Sequence, residues 1–245
     1  MPKKPPQPRS IPAFANTAKA PLSPSVTRRA EAKAATREKI LVAAREFFIA
    51  EGFEAVSMRR IADAIGYTPA AIYVHFKDKT ELLITLGDRD FRFFHSKFRA
   101  IEAIPDPVDR LRAAGSAYIN FALQHPRHYK LMFMTKWPII DPLQCPLEHG
   151  NVDEDSYAFL DSIVTDCIKA GRFGDGYRDH RIVTQVCWGA VHGVVSLHIT
   201  HGEDPWCDFT NPKETASLLL DACIAGMLAP VTRPPAASRN GARKP

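Results

Sequence analysis

The chain has 245 residues, 45% of them apolar, enough for a small domain plus a larger one, each with its own core. It holds no unbroken apolar run of about 18 residues, which argues against a membrane span, and its N-terminus, MPKKPPQPRS, is basic without the apolar stretch of a secretory leader; a cytoplasmic protein is expected. The formal net charge of +5 is unevenly placed: residues 1–30 carry six Lys/Arg and no acid, the last fifteen carry four and no acid, and residues 105–230 carry ten bases against sixteen acids, so the basicity sits in the two ends.

Residues 1–35 and 231–245 are Pro- and Ala-rich and lack apolar periodicity, and they are read as disordered tails. They act either as basic arms that add non-specific phosphate affinity or as solubilising ends. The five cysteines (145, 167, 187, 207 and 223) include no C-x-x-C and recur within apolar patterns, so reduced core thiols are expected.

The first helical pattern runs over about 36–50. Ile40, Ala43, Ala44, Phe47 and Phe48 recur at i, i+3, i+4, i+7 and i+8 and form one apolar face; Gly52 ends it. Ser57 is an N-cap before Met58, Ile61, Ala62 and Ile65, a second amphipathic helix that Gly66 breaks. Thr68 caps a third, and Pro69 suits its first position, where a missing N–H costs nothing. About two turns follow, too few for an isolated helix, so this one must pack, through Ala71, Ile72 and Phe76. Its other side leaves Pro69, Ala70, Tyr73, Val74 and His75 facing outward. Three short helices, two tight breaks and an outward Tyr and His on the third make the layout of a helix-turn-helix, whose second helix enters the major groove of duplex DNA. Asp78-x-x-Glu81 starts the next helix and puts Lys79 in its first turn, against the helix dipole. Either a phosphate is shared there by Lys79 and the helix N–H groups, or Lys79 is solvated and offset by Asp78.

The segment 36–83 resembles the TetR/AcrR family of one-component transcriptional regulators. The resemblance rests on FFIAEGF (47–53), Ser57-Met58-Arg59-Arg60-Ile61-Ala62, Ala64-Ile65-Gly66 and Ile72-Tyr73-x-His75-Phe76-Lys77-x-Lys79-x-Glu81-Leu82. It implies an all-α chain: a three-helix helix-turn-helix DNA-binding domain at 36–83, then a helical effector-binding and dimerisation domain at 84–230. It places phosphate contacts on Ser57, Arg59, Tyr73, His75 and Lys79, and base-facing positions on Thr68, Pro69, Ala70 and Ala71, with Val74 beside them. Where relatives often have Gly, this chain has Ala70, and where they have a polar or aromatic residue it has Val74. Ala and Val can touch a thymine methyl but cannot hydrogen-bond a base edge, so the resemblance does not carry over an operator sequence.

Past Lys79 the pattern stays helical. A long helix carries Leu83, Gly87, Phe91, Phe94, Phe98 and Ile101 on one stripe. Asp106-Pro107, His125-Pro126 and Asn211-Pro212 mark further helix starts, the last within an Asn211…Glu214 capping box. Residues 153–170 read as a helix stopped by Gly171, and 179–200 as a longer one stopped near Gly202. Between Trp137 and Asn151, prolines 138, 142 and 146 make a long loop. In the 179–200 helix, Val183, Val186, Cys187, Ala190, Val191, Val194 and Leu197 form one apolar face, and Trp188, His192, Val195 and Ile199 another. The last helix adds Ala216, Leu219, Leu220, Cys223 and Met227. A helix apolar on two sides is buried on two sides, so a four-helix homodimer interface is expected, and a two-fold protein matches a palindromic operator; the alternative is a single-chain core.

Trp188-Gly-Ala-Val-His192-Gly193 resembles the Trp…His-Gly signature of one C-terminal subclass of that family, the WHG type. Trp188 and His192 share a helix face and either line a ligand cavity or form a satisfied core pair. Tyr118, Phe121, Tyr129, Met132, Phe133, Met134 and Trp137 are further lining candidates, although Met and aromatics at helical spacing are commonly plain core. A mostly apolar small-molecule effector is expected, and the acidic balance of 105–230 would tolerate a cationic one. No cofactor or metal is expected: His198, His201 and Cys207 lack a completing ligand at a recognised spacing. An enzyme is disfavoured, because no phosphate-binding glycine loop, G-x-S-x-G or H-E-x-x-H occurs. The reading is a DNA-binding regulator, a repressor released by an effector; the alternative is an architectural DNA-binding protein without one.

Overall fold

The computed structural model describes residues 24–141 and 144–229; the segments 1–23 and 230–245, and Pro142 in the proline-rich loop, lie outside the described residues. Among the described residues there is no strand, only an isolated bridge between Phe173 and Leu228. The helices are α1 (Pro24–Ala55), α2 (Met58–Ala64), α3 (Pro69–Tyr73), α4 (Lys79–His95), α5 (Pro107–Gln124), α6 (Pro126–Tyr129), a π-helical turn at Lys130–Met134, α7 (Ser156–Lys169), α8 (His180–His201) and α9 (Pro212–Met227).

Helix α1 starts earlier than its apolar pattern suggests. Residues 24–35, read as part of a disordered tail, are helical. Pro24 opens the helix, and Ala30, Ala32, Ala34 and Ala35 with Arg, Glu and Lys between them are strong helix formers that need no apolar face. At its other end Gly52 has φ 79°, a conformation that opposes Cβ in other residues, and it kinks the helix where the glycine signal placed a stop.

The helix-turn-helix is built by local devices. Ser57 Oγ accepts from the Arg60 N–H at 3.3 Å, and Thr68 Oγ1 accepts from the Ala71 N–H at 3.3 Å. Between the two helices Gly66 sits at φ 73°. Its N–H bonds the Asp63 carbonyl, and the Tyr67 N–H bonds the Ala62 carbonyl, the paired bonds of a Schellman stop. Asp78 caps α4 by accepting from the Glu81 N–H at 2.8 Å, and Glu81 reaches back to the Lys77 N–H at 2.7 Å. From residue 40 on, the core beneath these caps is Ile40, Leu41, Ala44, Phe48, Ile61, Ile72, Phe76, Leu82, Leu83 and Leu86, joined from outside the motif by Leu131.

Helix α4 belongs to two cores. Leu82, Leu83 and Leu86 pack in the first and Phe94 in the second. The stripe does not continue as helix to Ile101: α4 ends at His95 and turns follow through residue 103. Ser96 Oγ donates to the Phe93 carbonyl at 2.6 Å, a local competitor for the helix ladder. Phe98 and Ile101 stay buried all the same, Phe98 stacked on Phe159 at 5.2 Å between centroids.

The second core is centred on α5, which packs against α7, α8 and α9. The expected X-Pro starts are present at Asp106, His125 and Asn211. The middle one opens only the four residues of α6 before the π-helical turn. The faces of α8 differ from the expected pair. Val183, Thr184, Cys187, Val191 and Val195 face inward, whereas Val186 and Leu197 are exposed, together with Ile182. By length and composition α8 could also cross a membrane, yet its inner row is packed in this core.

Candidate nucleic-acid interface and ligand cavity

The outward side of α3 is as expected: Thr68 and Ala70 are exposed, Pro69, Ala71 and His75 partly so, and Tyr73 and Val74 are 54% and 70% exposed. Ile72 and Phe76 anchor the helix from beneath. On α2, Ser57 and Arg59 are exposed, Arg59 only 3.9 Å from Asp63 in a loose i,i+4 pair. Its neighbour Arg60 is committed elsewhere: it forks onto Glu51, 2.7 Å on one arm, and lies 5.2 Å over the Phe47 ring. This pairing holds the Glu51 carboxyl below its ordinary range, the hydrogen bond from Arg60 being the main cause.

Lys79 is not merely solvated. Its Nζ donates to the carbonyls of Phe53 (2.9 Å) and Glu54 (3.3 Å) and lies 4.3 Å over the Phe53 ring. The cation that opposes the dipole of α4 satisfies carbonyls at the end of α1 instead. It therefore staples two elements of the motif, with the Glu54 carboxylate 4.0 Å from Nζ. No sequence rule reveals this, because its partners are backbone atoms about twenty-five residues away.

Above this unit, among α4, α5, the π-helical turn, α7, α8 and α9, lies an apolar cavity of about 370 Å³. Of the lining candidates singled out in the sequence, Tyr118, Met132, Phe133 and Trp188 line it. Phe121, Tyr129, His192 and Trp137 do not. Phe121 is core beside Phe93 and Phe94. Tyr129 and His192 form a polar cluster behind the wall: Trp188 Nε1 donates to Tyr118 Oη (3.1 Å), Tyr118 Oη donates to Tyr129 Oη (3.1 Å), and His192 Nδ1 is 2.9 Å and 2.7 Å from the two hydroxyls. With Tyr129 donating to Nδ1, the imidazole is neutral, and burial lowers its pKa in the same sense. Burial pushes both tyrosines up. The satisfied histidine and the cavity-lining tryptophan are thus both present, on one helix.

Phe91, Phe94, Phe98, Phe159, Cys187 and Leu220 complete much of the wall. Their spacing marks them as apolar; that they surround a void rather than fill it follows from packing. Of the other cysteines, Cys145 and Cys207 are exposed, against the expectation that all five are core, and Cys167 is buried on α7. Trp137 lines a second cavity of about 470 Å³ under the proline-rich loop, which shares Phe91, Met132, Asp155 and Ser156 with the first. Its Nε1 donates to the Leu131 carbonyl at 2.8 Å, and its ring occupies the space above Gly87, where any Cβ would meet it at 2.2 Å. Among the described residues no group of three or more His, Cys, Asp or Glu is placed to hold a metal.

The two units are physically joined. Asp90 of α4 is buried and accepts both arms of Arg45 from α1, one of them at 2.8 Å, and lies 2.8 Å from His128 Nδ1 of α6. Two residues past α6's end the chain sends Leu131 into the helix-turn-helix core, while Met132 and Phe133 face the cavity.

Comparison with known proteins matches this arrangement in chain order. Residues 40–86 match the family model for bacterial regulatory proteins of the tetR family, and residues 111–223, which include the Trp188…Gly193 signature, match the tetracyclin repressor-like C-terminal domain. The HTH-type transcriptional activator FasR of Mycolicibacterium smegmatis is 35% identical over 98 residues, 40% of this chain and 45% of that protein, so the match spans less than half of that relative. Among solved structures, a protein of unknown function from Rhodococcus sp. RHA1 aligns with a TM-score of 0.58 at 24% identity, over 79% of this chain and 95% of the other. SmeT, the repressor of the Stenotrophomonas maltophilia multidrug efflux pump SmeDEF, aligns with a TM-score of 0.57 at 22% identity, over 81% and 93%. At these identities the structural likeness speaks for the fold. The helix-turn-helix and the C-terminal helical domain, each matched in place, show that this chain belongs to the tetR family of bacterial regulatory proteins.

Proposed function

We propose that the protein is a dimeric transcriptional regulator whose affinity for a two-fold operator is lowered by a mostly apolar small molecule. The observation that carries this reading is the coupling of one exposed recognition helix to one apolar cavity through a shared segment: Leu131 is core to the first and Met132 is wall to the second. π-helical turns such as the one holding both residues recur at functional sites. A ligand that displaces Met132 and Phe133 acts on Leu131 by one residue of backbone, and on Arg45 and Asp90 through His128.

The dimer is supported by an uncovered stripe. Ile182, Val186, Gly189 and Leu197 of α8 are exposed, with open space around Gly189 and Gly193, and Leu218, Ala222 and Ala225 are exposed on α9. Small residues at this spacing let a second copy approach closely. Each protomer then presents α3 to one major groove, about 34–36 Å from its partner's unless the operator is longer. Ser57, Arg59, Tyr73, His75 and Lys79 take phosphates; Thr68, Pro69, Ala70, Ala71 and Val74 face bases. Effector binding changes the half-site spacing, a coupling of about 1–3 kcal/mol in typical cases.

The test is fluorescence anisotropy of the purified protein on the duplex upstream of its own gene and on a scrambled duplex, at two salt concentrations, followed by titration with apolar compounds. Sequence-dependent, salt-sensitive binding that a compound weakens is expected. Equal binding to both duplexes, unmoved by any compound, would favour an architectural DNA-binding protein. The regulator family and the cavity together argue for binding rather than catalysis.

A further inference from the structure

The first turns of α1 have no buried face. Every residue from Ser25 to Ala35 is exposed, and Val26 is the one large apolar side chain among them. Packing therefore does not explain which residues stand where on this helix.

Its charges are nonetheless sorted. Arg29, Lys33 and Arg37 follow at i, i+4 and i+8 of a continuous helix, so they share one face, roughly 6 Å apart along the axis. Glu31 and Glu38, the two acids of the segment 24–38, are seven residues apart and fall on the far side. No acid stands three or four residues from any of the three cations. Like charges four residues apart oppose helix formation, so the stripe is not there to support the helix. Ala30, Ala32, Ala34 and Thr36 flank it, and the longer cationic side chains reach beyond them. Arg29 and Lys33 are exposed and Arg37 partly so.

We propose that Arg29, Lys33 and Arg37 form a second phosphate-binding surface, which grips the backbone of the same duplex that α3 reads. The choice of DNA as partner rests on the regulator reading. A row of cations with no acid among them releases counterions when it meets phosphates, and such contacts add affinity and fix position without reading sequence. An anionic lipid surface fits poorly: a helix lying on a membrane needs an apolar face opposite its charges, and here that side carries Glu31 and Glu38. The basic arm that composition left open against a solubilising end is thus placed on three residues of one helix face.

The experiment uses the full chain carrying Arg29→Gln and Lys33→Gln. Glutamine keeps the helix propensity, and both sites are exposed, so the far-ultraviolet circular dichroism should match the parent's. Fluorescence anisotropy is read on the duplex upstream of the protein's own gene and on a scrambled duplex, between about 50 and 200 mM salt. The slope of log affinity against log salt should flatten by about two phosphate units, so that affinity falls about tenfold less than the parent's over that range, on both duplexes alike. Arg29→Gln alone should flatten it by about one unit, while Arg28→Gln, which removes the same charge about 100° around the helix, should leave it unchanged. An unchanged slope in the double variant would overturn the proposal. Equal effects of Arg28→Gln and Arg29→Gln would also overturn it, since net charge and not the stripe would then act. A parent that prefers its own upstream duplex upholds the regulator reading whichever way the variants behave. A parent that binds both duplexes equally, with the slopes changing as expected, leaves the stripe standing and tells against sequence-specific regulation.

Discussion

The helix-turn-helix and the cavity region are both made of helices with side-chain caps, yet they are held differently. In the first, the devices that set each element lie within four residues of it: Ser57 on Arg60, Thr68 on Ala71, Asp78 on Glu81, and Gly66 in a paired-bond stop. In the second, what matters is far apart in the chain: Tyr118 meets Tyr129, Trp188 and His192, and Phe98 meets Phe159. The recognition surface is set mainly by local caps and stops. The cavity is a space left between helices that other contacts position. At the seam stands Asp90.

Breaking that seam should have the largest effect. Asp90 is 2% exposed and Arg45 13%, so Asp90→Ala strands a nearly buried guanidinium, and urea unfolding should show a loss of about 3–5 kcal/mol. A loss below about 1 kcal/mol would put the pair with ordinary surface pairs and remove it as the joint. Next comes Gly87→Ala, whose methyl must displace the Trp137 ring. It should cost about 1–3 kcal/mol and shift tryptophan emission, while DNA binding without effector stays as in the parent; unchanged emission would mean Trp137 does not sit there in solution.

Within the recognition unit, Lys79 and Tyr73 separate structure from contact. Lys79→Ala removes the staple to Phe53 and Glu54 and should lower stability by about 1 kcal/mol after allowance for its partial exposure. It should also flatten the salt dependence of DNA binding by about one phosphate unit if its ammonium meets DNA. Stability loss with an unchanged salt slope would make Lys79 a positioning residue only. Tyr73→Phe, 54% exposed, should leave stability alone and weaken binding to all duplexes alike; a change in base preference instead would place Tyr73 over a base.

The smallest effect is in pH. His192, His95 and His125 all have pKa values lowered in the fold, burial being the main cause in each. Between their folded values and the unfolded value of about 6.5, the unfolded chain binds protons that the folded chain does not. Stability is therefore full above that pH and falls as pH drops through the window. His192→Gln should flatten part of this slope in denaturation curves taken across the window. An unchanged slope would mean that His192 does not contribute.

How far each part was legible follows from the range of its contacts. The three helices at 36–83, their caps and the outward residues of α3 were readable, since propensity, capping and apolar period act over a few residues. The same rules found the starts at Asp106, His125 and Asn211 and the stop at Gly171. They missed residues 24–35, where alanine-rich helix forms without an apolar face. They also carried α4 past its end at Ser96, because an apolar stripe can persist through turns as Phe98 and Ile101 do.

The sequence by itself determined an all-helical chain with a DNA-reading motif at one end, because those signals are local. Only the tertiary structure decided that Tyr118, Phe133 and Trp188 border a void while Phe121 fills space and His192 is bonded behind the wall; that Lys79 serves the end of α1; and that Val186 and Leu197 face out. Apolar periodicity tells which side of a helix avoids water. It carries no information on whether that side meets another helix, a cavity or a second copy of the chain, since all three present the same apolar surface to it.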